Sequence, residues 1–301
     1  MKFLESSSII CSSELEKTVH YLFDRILKSF FIFIVFISNF SVWGEGTIQQ
    51  FVIGKSELLI YSRFSPKQEQ TPGMEYFGNR EYRTEKFSPA STFKSYLALS
   101  LLENEVVSLS QKLACSDPHI VGSPRMLNLR EALFYSSNDY FLQTFRKLGK
   151  SKLEKTLSRI GYGEMPGEPT PDKTGKLPAN WWRGTEALKH GGSLRLRPGE
   201  IHSIWVASFW TSPNRKSKMD KNLLETWMQS LFWSECSEKG ILVYGKSGSW
   251  EKSFWFQGLL VDSDLHQFTA ITFLNRSSQA NRSQTIQKFY DLIECPMPKL
   301  E

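Results

Sequence analysis

The most informative stretch of the sequence is Phe87-Ser88-Pro89-Ala90-Ser91-Thr92-Phe93-Lys94. Its serine and lysine stand three positions apart, at the start of a segment, residues 91–103, whose apolar residues recur at helical spacing. Side chains at i and i+3 share one face of a helix, so the Ser91 hydroxyl and the Lys94 amine can meet. Burial among apolar neighbours lowers the pKa of a lysine and lets it take a proton from serine. The stretch therefore predicts a serine nucleophile with a lysine base.

Two more short motifs follow along the chain, Ser136-Ser137-Asn138 and Lys246-Ser247-Gly248. Each of the three patterns occurs a second time, as Ser249-Trp250-Glu251-Lys252, Ser212-Pro213-Asn214 and Lys173-Thr174-Gly175. Context favours the first copies. The S-x-N motif falls between two predicted helices, and the K-S-G motif ends an apolar predicted strand. The second copies lie in predicted loops or beside a strand, where positions i and i+3 point to opposite faces.

The order of the predicted elements indicates the fold class. Two strands open the chain after its N-terminal segment, a helical section follows, and three strands and a helix close it. We predict strands at 47–53, 57–62, 241–245, 254–261 and 268–274; helices at 91–103, 127–135, 139–148, 151–160, 198–210, 221–233 and 282–293; and a long loop at 163–192. This order predicts an α+β fold, in which an antiparallel sheet is flanked by N- and C-terminal elements and a helical subdomain is inserted between its parts.

The N-terminal segment has the pattern of a secretory signal. Lys28 precedes an apolar run, Phe30–Ile37, and Val42-Trp43-Gly44 follows it. The run is shorter than the roughly 20 residues that a membrane-spanning helix needs. We expect a signal peptide with a long leading region over 1–44, a catalytic domain over 45–301, and export to the periplasm or cell envelope, with no stable membrane span beyond the signal segment. A short uncleaved anchor is the alternative.

Composition narrows the classes of function. The net charge is +6, but Lys and Arg are spread along the chain and only Arg215-Lys216-Ser217-Lys218 clusters, so we expect no nucleic-acid partner. Removal of the signal leaves Cys115, Cys236 and Cys295, an odd number with no metal-ligand spacing. One disulfide fits an exported protein, and its partners stay open. We expect no metal site.

The nucleophile region, residues 79–94, closely resembles that of class D β-lactamases, and its Phe-x-Pro-Ala-Ser-Thr-Phe-Lys core is far more specific than S-x-x-K. The three motifs also occur in the order known for penicillin-binding proteins and serine β-lactamases. Weaker likenesses are Tyr162-Gly163-Glu164, residues 194–200 and residues 254–258. The resemblance covers residues 56–293 and implies a β-lactamase/transpeptidase-like fold.

The resemblance assigns four catalytic roles. Ser91 is the expected nucleophile on a β-lactam carbonyl or on the D-Ala-D-Ala carbonyl of a peptidoglycan stem peptide. Lys94 is the expected base, either neutral or carbamylated by CO2, and no other cofactor is expected. Ser136 would relay a proton to the leaving nitrogen. Lys246 would lower the proton affinity of nearby groups and attract the substrate carboxylate.

Four further positions are expected to bind substrate. Asn138 would donate to the substrate amide, and Ser247 would hydrogen-bond the substrate carboxylate. Gly248 would let the backbone pass close to the ligand. The backbone N–H groups of Ser91 and Ser249 would form the oxyanion hole.

The sequence departs from class D at informative positions. That family has an apolar residue where Asn138 stands, and Ser136-x-Asn138 is instead the pattern of D,D-transpeptidases. Glu164 replaces the family's Asn, and either Trp181 or Trp182 is the candidate for the tryptophan that shields the lysine. We predict a class D-like serine β-lactamase. The alternatives are a penicillin-binding D,D-transpeptidase or carboxypeptidase, a non-hydrolytic β-lactam sensor domain, and an envelope-binding module with an inactive site.

Overall fold

The computed structural model describes residues 53–162, 195–210, 219–262 and 266–299, which belong to one compact unit, Phe51–Glu301. Several predicted features lie outside the described residues: the signal segment 1–44, most of the strand at 47–53, the loop at 163–192 with Trp181 and Trp182, and the basic cluster 215–218. Among the helices that are described, none is both long and apolar enough to cross a membrane.

A six-stranded antiparallel sheet forms the centre of the domain. Its strands are β1 Glu57–Phe64, β2 Glu75–Gly78, β5 Phe232–Cys236, β6 Ile241–Trp250, β7 Ser253–Asp262 and β8 Gln267–Asn275. They lie side by side in the order β2-β1-β8-β7-β6-β5. β6, β7 and β8 form the expected meander, and β1 pairs with β8, so early and late parts of the chain share one sheet. A separate two-stranded sheet pairs β3 Leu113–Cys115 with β4 Arg125–Leu127.

Helices cover the sheet, and most of them lie between β2 and β5 in the chain. They are α1 Lys94–Glu103, α2 Leu129–Tyr135, α3 Asn138–Leu148, α4 Lys150–Arg159, α5 Pro198–Phe209, α6 Lys221–Leu231 and α7 Arg282–Leu292. Two buried clusters follow from the alternation of strand side chains. Trp255 and Leu274 belong to the cluster with the central helices, whereas Phe256 and Phe273 belong to the cluster with α7. The predicted α+β class and the helical insertion are confirmed.

The chain departs from the sequence-based elements where tertiary contacts outweigh local pattern. The helix expected to run to Trp233 ends at Leu231, and Phe232–Cys236 forms an edge strand. There the Trp233 indole donates to Gly245 O at 2.8 Å, and the Phe232 ring packs edge-on against Tyr244. The short strands β2, β3 and β4 were not predicted, because strands of three or four residues leave too little periodicity to recognise.

The disulfide that the sequence left open joins Cys236 to Cys295. It connects the end of β5 to the segment that follows α7. Cys115 is a free, buried thiol.

Candidate active site

Ser91 lies in a tight 3-10 turn, Ala90–Phe93, that leads directly into α1. In such a turn side chains at i and i+3 stand one above the other, so Ser91 and Lys94 lie on the same side. Ala90 has a φ of 50°, a left-handed conformation that is unfavourable for a residue with a Cβ. The turn is held by Thr92, whose hydroxyl donates to Pro89 O at 2.6 Å.

The turn is pressed against β6 at Gly248. A Cβ on Gly248 would lie 2.8 Å from Thr92 N and 3.1 Å from Pro89 O, closer than a side chain tolerates. The glycine was predicted to let the backbone pass close to a ligand, and the structure shows a close approach between β6 and the turn that carries Ser91. Gly248 thereby sets the distance between the K-S-G strand and that turn.

The S-x-N motif lies at the junction of two helices. Ser136 caps the C-terminus of α2 in the left-handed conformation, with a φ of 61°. Ser137 caps the N-terminus of α3, where its Oγ accepts from Tyr140 N at 3.0 Å. Asn138 is the first residue of α3. Because one helix ends and the next begins here, Ser136 and Asn138 both face Lys94.

Lys94 is buried and is the centre of the site. Its Nζ donates to Asn138 Oδ1 at 2.6 Å and to Ser136 O at 2.8 Å, and it lies 3.4 Å from Ser136 Oγ. Burial lowers the pKa of Lys94 to about 7; the Asp117 carboxylate acts in the opposite direction, and Arg282 lowers the pKa further. A lysine in this setting exchanges protons near neutral pH.

Lys246 reaches the same hydroxyl from the opposite side. Its Nζ donates to Ser136 Oγ at 3.0 Å and to Ser247 O at 2.6 Å. Burial, together with the charges of Lys94 and Arg282, holds the pKa of Lys246 well below its usual range. With Lys246 as its donor, Ser136 Oγ keeps its own hydrogen to donate. This arrangement suits a proton relay.

Ser247 is paired with an arginine that the sequence motifs did not indicate. Arg282, the first residue of α7, donates from Nε to Ser247 Oγ at 3.0 Å and from a terminal nitrogen to Phe134 O. Burial lowers the pKa of Arg282 to about 10. A guanidinium and a hydroxyl side by side form a natural carboxylate site. Arg282 lies 35 positions after Ser247 in sequence, with no local pattern to link the two.

The remaining predicted positions are placed as follows. Ser249 lies on β6, opposite Phe254 of β7, with its side chain exposed. Ser91 is partly buried, and in the described part of the chain its hydroxyl makes no hydrogen bond. The structure thus joins Lys94 to Ser136 and Asn138, and Lys246 to Ser136. Ser91 lies in the turn that leads into α1 and Lys94. Ser247 follows Lys246 in β6, and its carbonyl oxygen accepts from Lys246 Nζ.

Another buried group that sequence reasoning missed is Asp117. It lies in the segment between β3 and β4, 20 positions before Ser137, and its carboxylate accepts a hydrogen bond from the Ser137 hydroxyl. Nothing in the sequence around Asp117 marks it as part of the site.

Comparison with known proteins gives one family model and one relative. The family model of the penicillin-binding protein transpeptidase domain matches residues 55–196. Regulatory protein BlaR1 from Bacillus licheniformis is 24% identical over 219 residues, which make up 68% of this chain and 32% of that protein. The chain therefore spans about a third of the length of that relative.

Solved structures give the same fold. Class D β-lactamase BAT-2 superposes with a TM-score of 0.60 at 18% identity, over 79% of this chain and 90% of that one. The class D β-lactamase from Bacillus subtilis superposes with a TM-score of 0.58 at 16% identity, also over 79% and 90% of the two chains. The motif order, the fold and these matches together lead to one conclusion: the chain is similar to the penicillin-binding protein transpeptidase domain over residues 55–196 and has the fold of class D β-lactamases.

Proposed function

We propose that the protein is acylated by β-lactams at Ser91 and that the acyl-enzyme is long-lived, so that it acts as a covalent β-lactam-binding domain. The observation that carries the proposal is the contact between Lys94 Nζ and Asn138 Oδ1 at 2.6 Å. This contact affects hydrolysis of the acyl-enzyme, the step after acylation. In class D enzymes the matching lysine is carbamylated, and the carbamate activates the water that hydrolyses the ester.

Acylation joins Ser91 to the groups that surround Lys94. Ser91 Oγ attacks the β-lactam carbonyl carbon, and its proton passes to the neutral Lys94 amine. The C–N bond of the ring then breaks, and the leaving nitrogen takes a proton from Ser136 Oγ, which Lys94 resupplies. The positive N-terminal end of α1 stabilises the developing oxyanion. The pKa of Lys94, about 7, makes the neutral amine available at physiological pH.

The substrate carboxylate has a site of its own. Arg282, Lys246 and Ser247 stand together at one end of the pocket and are buried or nearly so. Buried cations attract an anion strongly because water does not screen them. Penicillins, cephalosporins and the C-terminal D-Ala of a stem peptide all carry a carboxylate close to the reacting carbonyl.

The neighbours of Lys94 favour a free amine over a carbamate. A neutral amine has two hydrogens, enough for both Ser136 O and Asn138 Oδ1. A carbamate nitrogen has one hydrogen, so one of these carbonyl oxygens would lose its donor, and the new anion would lie against oxygens. With no carbamate to activate water, hydrolysis of the Ser91 ester is slow. The similarity to a regulatory protein agrees with a binding role.

Rapid hydrolysis, the class D-like β-lactamase activity, is the second candidate. It is favoured by the Phe-x-Pro-Ala-Ser-Thr-Phe-Lys core and by the fold shared with class D β-lactamases. Peptidoglycan D,D-transpeptidation is the third, favoured by Ser136-x-Asn138 and by the matching family model.

The deciding experiment follows the acyl-enzyme over time. The purified protein is mixed with benzylpenicillin and its intact mass is recorded; we expect one penicillin per chain, no adduct on Ser91→Ala, and an adduct that persists for many minutes. With a chromogenic cephalosporin we expect one equivalent of colour and then very slow turnover. Steady turnover that bicarbonate accelerates would instead identify a β-lactamase. Labelling that survives Ser91→Ala would remove the basis of the whole proposal.

A further inference from the structure

A buried carboxylate lies behind the S-x-N motif. Asp117 is 3% exposed. One of its oxygens accepts from Asn138 N at 2.8 Å and from Asp139 N at 3.1 Å, and the other accepts from the Ser137 hydroxyl. Three consecutive residues of the active-site junction therefore donate to one side chain from a distant part of the chain.

These bonds fix how α3 starts. The first backbone N–H groups of a helix have no partner inside it. Here Asp117 takes the first two, and Ser137 Oγ takes the third, from Tyr140 N at 3.0 Å. The loop is itself anchored, because Asp117 N donates to Ser123 Oγ at 2.9 Å and Ser116 N donates to Asp139 at 2.8 Å. The start of the helix has little freedom to rotate or shift.

The positions fixed in this way are those that contact Lys94. Asn138 Oδ1 and Ser136 O accept its two short hydrogen bonds. We propose that Asp117 is a positioning residue of the acylation site, which holds Ser136 and Asn138 in register with Lys94. This inference rests on the proposed acylation of Ser91 and adds a residue that acts through others, without touching substrate.

Asp117 also acts on Lys94 through its charge. The charged groups that act on Lys94 are Asp117, which raises the pKa of the amine, and Arg282, which lowers it; Lys246 shares Ser136 Oγ with Lys94. Beside Asp117 itself stand Asp139 and the Cys115 thiol, whose pKa burial raises to about 11, so the thiol stays neutral. Loss of the Asp117 charge therefore lowers the pKa of Lys94.

The test compares Asp117→Asn with the wild type across pH. Asparagine keeps the shape but presents an NH2 group to one of the donors, so the helix start is displaced. We expect the rate constant of acylation by benzylpenicillin to fall about tenfold or more on the alkaline plateau. We also expect the acid-side midpoint of the pH–rate profile to move to lower pH. A residue that only stabilised the fold would leave this midpoint in place, so an unchanged plateau or an unchanged midpoint overturns the proposal.

Asp139→Asn is the matched control. It removes an equal charge in the first turn of α3, where the side chain is more exposed than that of Asp117. Asparagine at this position keeps an oxygen that accepts from Ser116 N, so the loop stays anchored and the pH–rate profile of this variant should match that of the wild type. If Asp117→Asn does not fold, Ser137→Ala decides: it removes one donor and keeps the charge, and a rate equal to wild type overturns the proposal. Failure of the wild type to form any adduct would instead refute the proposed function.

Discussion

Lys94 Nζ lies 2.6 Å from Asn138 Oδ1, so the first side chain of α3 accepts a hydrogen bond from a lysine buried in α1. Asn138→Val removes that acceptor and leaves an apolar surface beside the amine. The apolar surface favours the neutral form of the amine, which is the form that reacts with CO2, and one N–H of that amine no longer has a partner. We expect the variant to hydrolyse its acyl-enzyme faster than the wild type when bicarbonate is added. A carbamate signal in ¹³C NMR with labelled bicarbonate is the direct measurement. A variant as insensitive to bicarbonate as the wild type would contradict this account of the slow step.

We expect the guanidinium of Arg282 to influence the pH range of acylation. It lowers the pKa of Lys94, which stands near 7, so acylation should rise as pH increases through that value and Lys94 loses its proton. Arg282→Gln removes a positive charge, which raises the pKa of Lys94 and moves the midpoint to higher pH. The affinity for penicillin should fall as well, because the carboxylate loses a partner.

The control for this effect is Arg276→Gln. Arg276 carries the same charge but pairs with Glu85 at 3.2 Å, so the midpoint should stay at its wild-type value. The measurement is the acylation rate by stopped flow from mildly acidic to alkaline pH. A midpoint that moves equally in both variants would mean that net charge, and not contact, controls Lys94.

The residues close together in sequence were the predictable part of the site. Ser91 and Lys94 share a turn, so their proximity follows from local geometry alone. Ser136 and Lys246 could be named only through motif order, since 110 residues separate them and the contact between them depends on the sheet. The apolar parts of β6–β8 were similarly predictable, because they carry a clear pattern, but β6 continues to Trp250, five residues beyond the expected end at 245, because the polar residues of the K-S-G motif still pair with β7.

The contacts of Asp117 and Arg282 with the site could not be predicted from the sequence, and the physical reason is the same for both. Each is a common polar residue in an ordinary local context, and its role arises only from burial beside the motifs. Asn138 was predicted to donate to the substrate amide, a role for its NH2 group; the structure adds a contact that the sequence did not indicate, because its carbonyl oxygen accepts from Lys94. That contact depends on the packing of α1 against α3, which a pattern of residue types does not encode.

His202 makes stability depend on pH. It is fully buried in α5; its Nε2 lies 2.9 Å from Ser62 Oγ and its Nδ1 lies 3.0 Å from Thr272 Oγ1. Because the Ser62 hydroxyl already donates to Gly73 O, the histidine donates from Nε2 and accepts at Nδ1. Burial lowers the pKa of His202 to about 3.

The sign of this effect follows from proton uptake. Below pH 6.5 the unfolded chain protonates His202 while the folded protein does not, so the free energy of unfolding falls as pH decreases towards 3. We expect this residue to account for a loss of about 2 kcal/mol between about pH 7.5 and about pH 5. Urea unfolding at the two pH values measures it. His202→Gln should be less stable at neutral pH, but its free energy of unfolding should differ less between the two pH values. A difference equal to that of the wild type would mean that His202 does not cause the loss of stability.

The contact between Gly248 and the nucleophile turn can be tested with a single methyl group. In Gly248→Ala the new Cβ would meet Thr92 N at 2.8 Å and Pro89 O at 3.1 Å, both backbone atoms that cannot rotate away. We expect β6 and the turn to separate, at a cost of about 1–3 kcal/mol in the free energy of unfolding, because overpacking forces backbone shifts. Acylation should slow more than stability alone explains, since the turn positions Ser91.

Gly73→Ala provides the comparison, because a Cβ there would meet nothing within 4 Å. Its free energy of unfolding and its acylation rate should both stay near those of the wild type. Equal acylation rates in the two variants would mean that the spacing between β6 and the turn does not control the nucleophile.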